Sequence, residues 1–158
     1  MAHHPVAPVC QVTTAATVPA TTTPAPETTT TLSCPDSWSE YNGECFQWFD
    51  QTYYTWVDAD HKCLLEGGRL ASIHSREQNE FFNQMAQGNT YWIGGYPNGS
   101  SITWVWSDLT EFDYSDYNSV ISAGDCLYQL SSNYDNGWNS NYCDSSSYRY
   151  SYICKLMV

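Results

Sequence analysis

The spacing of apolar residues changes character near Asn89, helical before it and strand-like after it. Trp56, Ala59 and Cys63 recur at intervals of three and four, behind a Thr55-Trp56-Val57-Asp58 start that fits a capped helix. Gly67-Gly68 ends that run, and the spacing turns Cys63 toward the core. A second start, Ser75-Arg76-Glu77-Gln78, leads into Phe81, Phe82 and Met85 and stops at Gly88. Between the two, residues Arg69 to His74 read as a short strand or an extended link.

Beyond Asn89, four stretches read as strands: Tyr91 to Gly95, Ile102 to Trp106, Asp125 to Leu130 and Tyr148 to Leu156. Gly, Asn, Ser and Asp separate them. Helices first and strands afterwards predict an α+β fold, two helices flanking a mostly antiparallel sheet. Ser107 to Gly124 and Ser131 to Asn141 are long and polar, and such loops on a rigid scaffold are where binding concentrates. From Gln11 to Thr31 the chain is nearly all Thr, Ala, Pro and Val, a composition that cannot bury a core. Residues 1–33 are therefore read as a disordered, mucin-like Thr/Pro-rich stalk and 34–158 as one folded domain.

Composition narrows the function. Seventeen acidic residues against five Lys and Arg leave a formal charge of −12, so the cation clusters that bind nucleic acid are missing. An acidic chain suits divalent cations, basic proteins or neutral polar ligands such as sugars. No run of 18 apolar residues predicts a membrane span. The opening residues lack the basic and apolar regions of a signal peptide, and His3 and His4 read as surface or cloning residues. Seven cysteines with no C-x-x-C pair argue for a disulfide framework, and hence an extracellular, secreted setting. Six of them pair in fifteen ways on spacing alone. Cys10 is the odd one, a candidate for an interchain disulfide giving a dimer.

The landmarks taken together are Cys34-Pro35 with Trp38, Cys45, Trp56-x-x-Ala59-x-x-x-Cys63, Gly68-x-Leu70-Ala71-Ser72-Ile73, Glu77, Trp92-Ile93-Gly94, Trp104-x-Trp106, Cys126, Gly137-x-Asn139, Cys143 and Tyr152-Ile153-Cys154. In that order they resemble the long form of the C-type lectin-like domain over residues 34–158. The resemblance implies the bridges Cys63–Cys154, Cys126–Cys143 and Cys34–Cys45, and a core role for Trp92, Ile93, Gly94 and Trp104. It also implies a non-catalytic module that binds a carbohydrate or protein ligand through its loop face.

In sugar-binding members, Ca²⁺ is held by a proline-containing triplet, an acidic residue before the third domain cysteine and a Trp-Asn-Asp triplet. Here Pro97 is the last proline, Gly124 stands where the acid is common, and Trp138-Asn139-Ser140 has Ser for Asp. Asn139 alone remains, and Ca²⁺ needs six to eight oxygens. The expectation is a ligand face at Asp113, Asp116, Tyr117, Asn118, Tyr134, Asp135 and Asn139 that works without the usual Ca²⁺ bridge. The alternative is a Ca²⁺-dependent lectin with a rearranged site drawn from Asp116, Asp125, Asp135 and Asn139.

Asp108, Glu111, Asp113, Asp116, Asp125 and Asp135 otherwise read as solvated surface charge. Tyr114, Tyr117, Tyr128, Tyr134 and Tyr142 offer rings that stack on sugars or anchor interfaces. His61 and His74 lie within fold landmarks, and no nucleophile elbow, zinc-protease motif or phosphate loop argues for catalysis. Asn98-Gly99-Ser100 is an N-glycosylation acceptor between two strands.

Overall fold

In the computed structural model, residues 33–99, 103–117, 125–131 and 137–157 are described, with Thr52 and Tyr53 in backbone only. The chain enters through a hairpin, β1 (Ser39–Tyr41) and β2 (Glu44–Tyr54), then forms α1 (Trp56–Leu65), β3 (Gly68–Leu70) and α2 (Arg76–Met85). There follow β4 (Tyr91–Trp92), β5 (Gly95–Pro97), β6 (Trp104–Trp106), β7 (Cys126–Gln129), β8 (Trp138–Asn141) and β9 (Tyr150–Leu156). The α+β class and the mostly antiparallel sheet are as expected; the order is not. An antiparallel hairpin precedes the first helix: across a tight Asn42-Gly43 corner with positive φ at both residues, Glu44, Cys45 and Phe46 lie opposite Tyr41, Glu40 and Ser39.

Both helix starts follow their caps. The Thr55 Oγ1 accepts the N–H of Asp58 at 3.2 Å, and Ser75 Oγ accepts that of Gln78 at 3.1 Å. Gln78 reaches back to the N–H of His74 at 2.8 Å, one residue before the cap. At the other end of α1, Gly67 takes a φ of +83°, the left-handed turn that glycine makes at little cost.

One sheet runs in the order β1-β2-β9-β4-β7-β8, with β3 also paired to β9. Lys155 of β9 lies opposite both Phe46 and Arg69, so β2 and β3 occupy opposite edges of the last strand. β4 alone runs parallel to β9. The strand expected at Tyr91 to Gly95 breaks after Trp92, and β5 pairs with β6 as a separate ribbon. The break occurs where Gly94 passes so close to Leu70 that a Cβ would stand 2.4 Å from its carbonyl oxygen.

Two aromatic clusters fill the interior. One joins Phe46, Ile73, Phe82, Trp106 and Trp138, and the other Trp56, Cys63, Trp92, Tyr152 and Cys154. Two of the indoles donate to backbone, Trp56 Nε1 to Ile93 O at 2.7 Å and Trp104 Nε1 to Asp125 O at 3.0 Å, whereas the buried Trp106 Nε1 meets no acceptor among the described residues. Trp92, Ile93 and Trp104 are core, as expected. Three disulfides close the framework with the pairing the resemblance implied: Cys34–Cys45, Cys63–Cys154 and Cys126–Cys143. Among the described residues no helix is long and apolar enough to cross a membrane.

Candidate functional site

The expected polar loop after Ser107 forms a strap over residues 108–117. Its residues alternate, with Phe112, Tyr114 and Asp116 part-buried and Glu111, Asp113, Ser115 and Tyr117 exposed. The inward rings land on the core: Phe112 stacks on Trp106 at 4.7 Å, and Tyr114 meets Trp138 edge-on at 5.6 Å. Trp138 opens β8, a strand in a stretch the sequence suggested was loop. β8 forms because Trp138 to Asn141 finds a complete antiparallel partner in β7, bringing Asn139 opposite Tyr128.

Asn79 joins strap, strand and helix. This α2 side chain is only 3% exposed. Its Oδ1 accepts the Trp138 indole N–H at 3.2 Å, and its Nδ2 donates to Asp116 Oδ2 at 3.0 Å. The Trp138 backbone N–H in turn donates to the Asp116 carbonyl at 2.6 Å. Asn79 was not among the expected site residues. Its signal was a polar side chain three positions before Phe82, on the buried face of an amphipathic helix.

A second network holds the start of the strap. Lys155 Nζ sits 2.7 Å from Glu44 Oε1 and 3.1 Å from Asp108 Oδ2. Asp108 also accepts from Ser72 Oγ and Thr110 Oγ1, each at 2.6 Å. Burial pushes the Asp108 carboxyl up, but those hydroxyls and the Lys155 charge outweigh it and hold it below the ordinary range. Burial works against the charged form of Lys155 too, and Glu44 and Asp108 more than restore it.

Asp108 is thus buried structure rather than the solvated charge expected. Asp125 is buried as well, and desolvation raises its carboxyl. His74 completes the network, 2.6 Å from Asp113 Oδ1 and 2.9 Å from Ser72 Oγ. That hydrogen bond draws the Asp113 carboxyl down. The Asp113–His74–Ser72 line has the order of a catalytic triad, yet Ser72 is fully buried and spends its hydrogen on Asp108, so its oxygen is a strut.

Those expected cation ligands that are described each hold a different partner. Asp116 is committed to Asn79, Asp125 lies beneath Trp104, and Asn139 Oδ1 accepts the N–H of Ser140 at 2.8 Å. Among the described residues no three His, Cys, Asp or Glu side chains gather around one point. Asn118, Tyr134, Asp135 and Cys10 lie outside the described residues, as do the seven positions before Asp125.

Two recesses border the strap. Arg76, Asn79, Glu80, Asn83, Tyr114 and Asp116 line a polar cleft of about 330 Å³ between α2 and the strap. Thr103, Trp104, Phe112 and Tyr117 line an aromatic one of about 340 Å³. Tyr117 rests on Trp104 at 5.7 Å and Trp138 at 5.8 Å, and burial pushes its phenol up to about 12. Asp113 and Asp116 therefore occupy opposite faces of one strap, tied to His74 and Asn79 respectively, with Tyr117 over the aromatic recess.

A strap, a disulfide-pinned loop base and a sheet of this order define a C-type lectin-like fold. The Lectin C-type domain family matches residues 52–156, and the chain belongs to that family. A type-2 ice-structuring protein of Osmerus mordax is 31% identical over 115 residues, 70% of this chain and 65% of that protein. The chain thus spans just under two thirds of that relative's length. Among solved structures, a Ca²⁺-dependent type II antifreeze protein in its Ca²⁺-free form superposes with a TM-score of 0.69 at 27% identity, covering 78% of this chain and all of that one. A calcium-independent type II antifreeze protein gives 0.67 at 29%, covering 78% and 93%. The fold is therefore shared by calcium-dependent and calcium-independent members, and this chain is a lectin-like binding module of that group.

Proposed function

We propose that this chain is an extracellular, non-catalytic C-type lectin-like module that binds a carbohydrate or protein ligand at its loop face without a Ca²⁺ bridge. The observation that carries this reading is the pair of hydrogen bonds by which Asn79 accepts from Trp138 and donates to Asp116. It spends on internal structure the carboxylate and the strand on which a cation site would be built. What it leaves is a preorganised polar cleft, with Arg76 and Glu80 for hydrogen bonds and Tyr114 for an apolar sugar face or side chain. The acidic surplus favours neutral or basic ligands over anionic ones.

Three disulfides support an oxidising, extracellular setting. The Thr/Pro composition of residues 11–31 supports a stalk that holds the module away from its attachment, and Cys10 ahead of it is placed to link two chains.

Glycan-array binding repeated with Ca²⁺ and with EDTA tests the central claim. Binding that is unchanged by EDTA, and weakened when Tyr114→Ala or Glu80→Gln is introduced, is the expected result. Monosaccharide binding abolished by EDTA, with calorimetric Ca²⁺ uptake lost in Asp116→Ala, would instead establish the rearranged acidic site.

A further inference from the structure

We infer that Asn98 is an N-linked glycosylation site whose glycan stands beside the aromatic recess of the strap. This rests on the extracellular reading above. The sequence supplies the acceptor triplet Asn98-Gly99-Ser100, with a small residue and no proline in the middle. The fold supplies access. Pro97 pairs with Trp104 as the last register position of the β5–β6 ribbon, and Asn98 donates its backbone N–H to Thr103 O at 2.9 Å.

That bond uses the backbone of Asn98 and leaves its exposed side-chain amide out of the ribbon's ladder. Gly99 follows with a φ of +66° and, among the described residues, no atom within 4 Å of where a Cβ would be, so the chain there is turned and uncrowded. A triplet set in a regular strand or beneath packed side chains could not enter an enzyme's acceptor groove. Asn98 and Gly99 sit where the ribbon ends.

The transfer needs a co-substrate of the secretory lumen, an oligosaccharide linked to a polyprenyl diphosphate. Asn98 Nδ2 attacks the anomeric carbon. The carbon–oxygen bond to the diphosphate breaks and a carbon–nitrogen bond forms, while the amide proton passes to a base and the polyprenyl diphosphate departs with the electron pair. Nothing is oxidised or reduced. Thr103, across the ribbon from Asn98, borders the recess formed with Trp104, Phe112 and Tyr117. A glycan at Asn98 therefore adjoins that recess, which shares no lining residue with the polar cleft against α2.

The test is to express the full chain behind a supplied secretion leader in cultured animal cells, then compare its mass before and after peptide N-glycosidase. One N-linked glycan is expected, with aspartate left at the former Asn98 position after enzyme treatment. It should disappear in Asn98→Gln and Ser100→Ala and persist in Ser100→Thr, which separates loss of the acceptor from loss of the fold. A wild-type chain with no enzyme-sensitive mass, or a glycan that survives Asn98→Gln, overturns the inference. Because the leader is supplied, either failure is distinct from a failure of the natural chain to be exported.

Discussion

Asn79 on α2 accepts the indole hydrogen of Trp138, 59 positions further along the chain, and so fastens the helix to the first residue of β8. Replacing Asn79 with Leu leaves that indole N–H buried and unpaired and releases Asp116. We expect a loss of about 2 kcal/mol in stability, read as a lowered urea midpoint with an unchanged slope. Asp116→Asn, which keeps an acceptor for the Asn79 amide, should cost less than half as much.

The ion pair between Lys155 and Asp108 is hidden from solvent on both sides. Lys155→Met strands the Asp108 carboxylate and should destabilise by about 3 kcal/mol, whereas the double change Lys155→Met with Asp108→Leu should recover part of that loss. A double-mutant cycle in urea measures the coupling.

Acid sensitivity follows from two carboxyls held low in the fold. Asp108 and Asp113 both lie below their ordinary range. A depressed acid contributes stability above the unfolded value and loses it as pH falls through the folded one, so the urea midpoint should drop from about pH 4 downward. Asp108→Asn should flatten that decline. Asp125 has the opposite sign: burial raises it, so its charged form weighs against the fold at neutral pH. Asp125→Asn should raise the midpoint at pH 7, and the Trp104 bond survives because it uses the Asp125 backbone carbonyl.

Leu109 combines a left-handed backbone, φ 65°, with 86% exposure of its side chain. It gains little from burial and carries the steric cost of that conformation, so Leu109→Gly should leave the protein equally stable or up to about 1 kcal/mol more stable. Thermal unfolding decides the sign.

Much of the fold was legible because its signals are local or covalent. Thr55 and Ser75 start helices by capping chemistry carried within four residues, and the pairing of six cysteines, open on spacing, was what the family resemblance implied. What escaped were features set by distant partners. Trp138 to Asn141 is too polar to announce a strand and becomes one only because β7 offers a full ladder. Glu44 to Tyr54 mixes polar and aromatic residues with no clean alternation, and its pairing with β9 organises it.

The candidate site shows the same division. The inward rings of Phe112 and Tyr114 could have been read from their period of two, while Asp108 resembled any loop carboxylate until Lys155 was found beside it. Asp113, Asp116 and Tyr117 are neighbours in sequence, yet the strap turns them to different partners, which chain order alone cannot show.

Strand β9 is clasped by β2 along one edge and by β3 and β4 along the other, and Cys154 within it closes a bridge to Cys63 across 91 positions. A growing chain thus exposes the Cys63 thiol long before its proper mate has been made, when Cys34 and Cys45 are the only domain thiols already emerged ahead of it. Early sealing of Cys34 to Cys45, 11 positions apart, removes those competitors. Were the small amino-terminal bridge to close first, Cys63 would have fewer wrong thiols within reach while its partner is still to come.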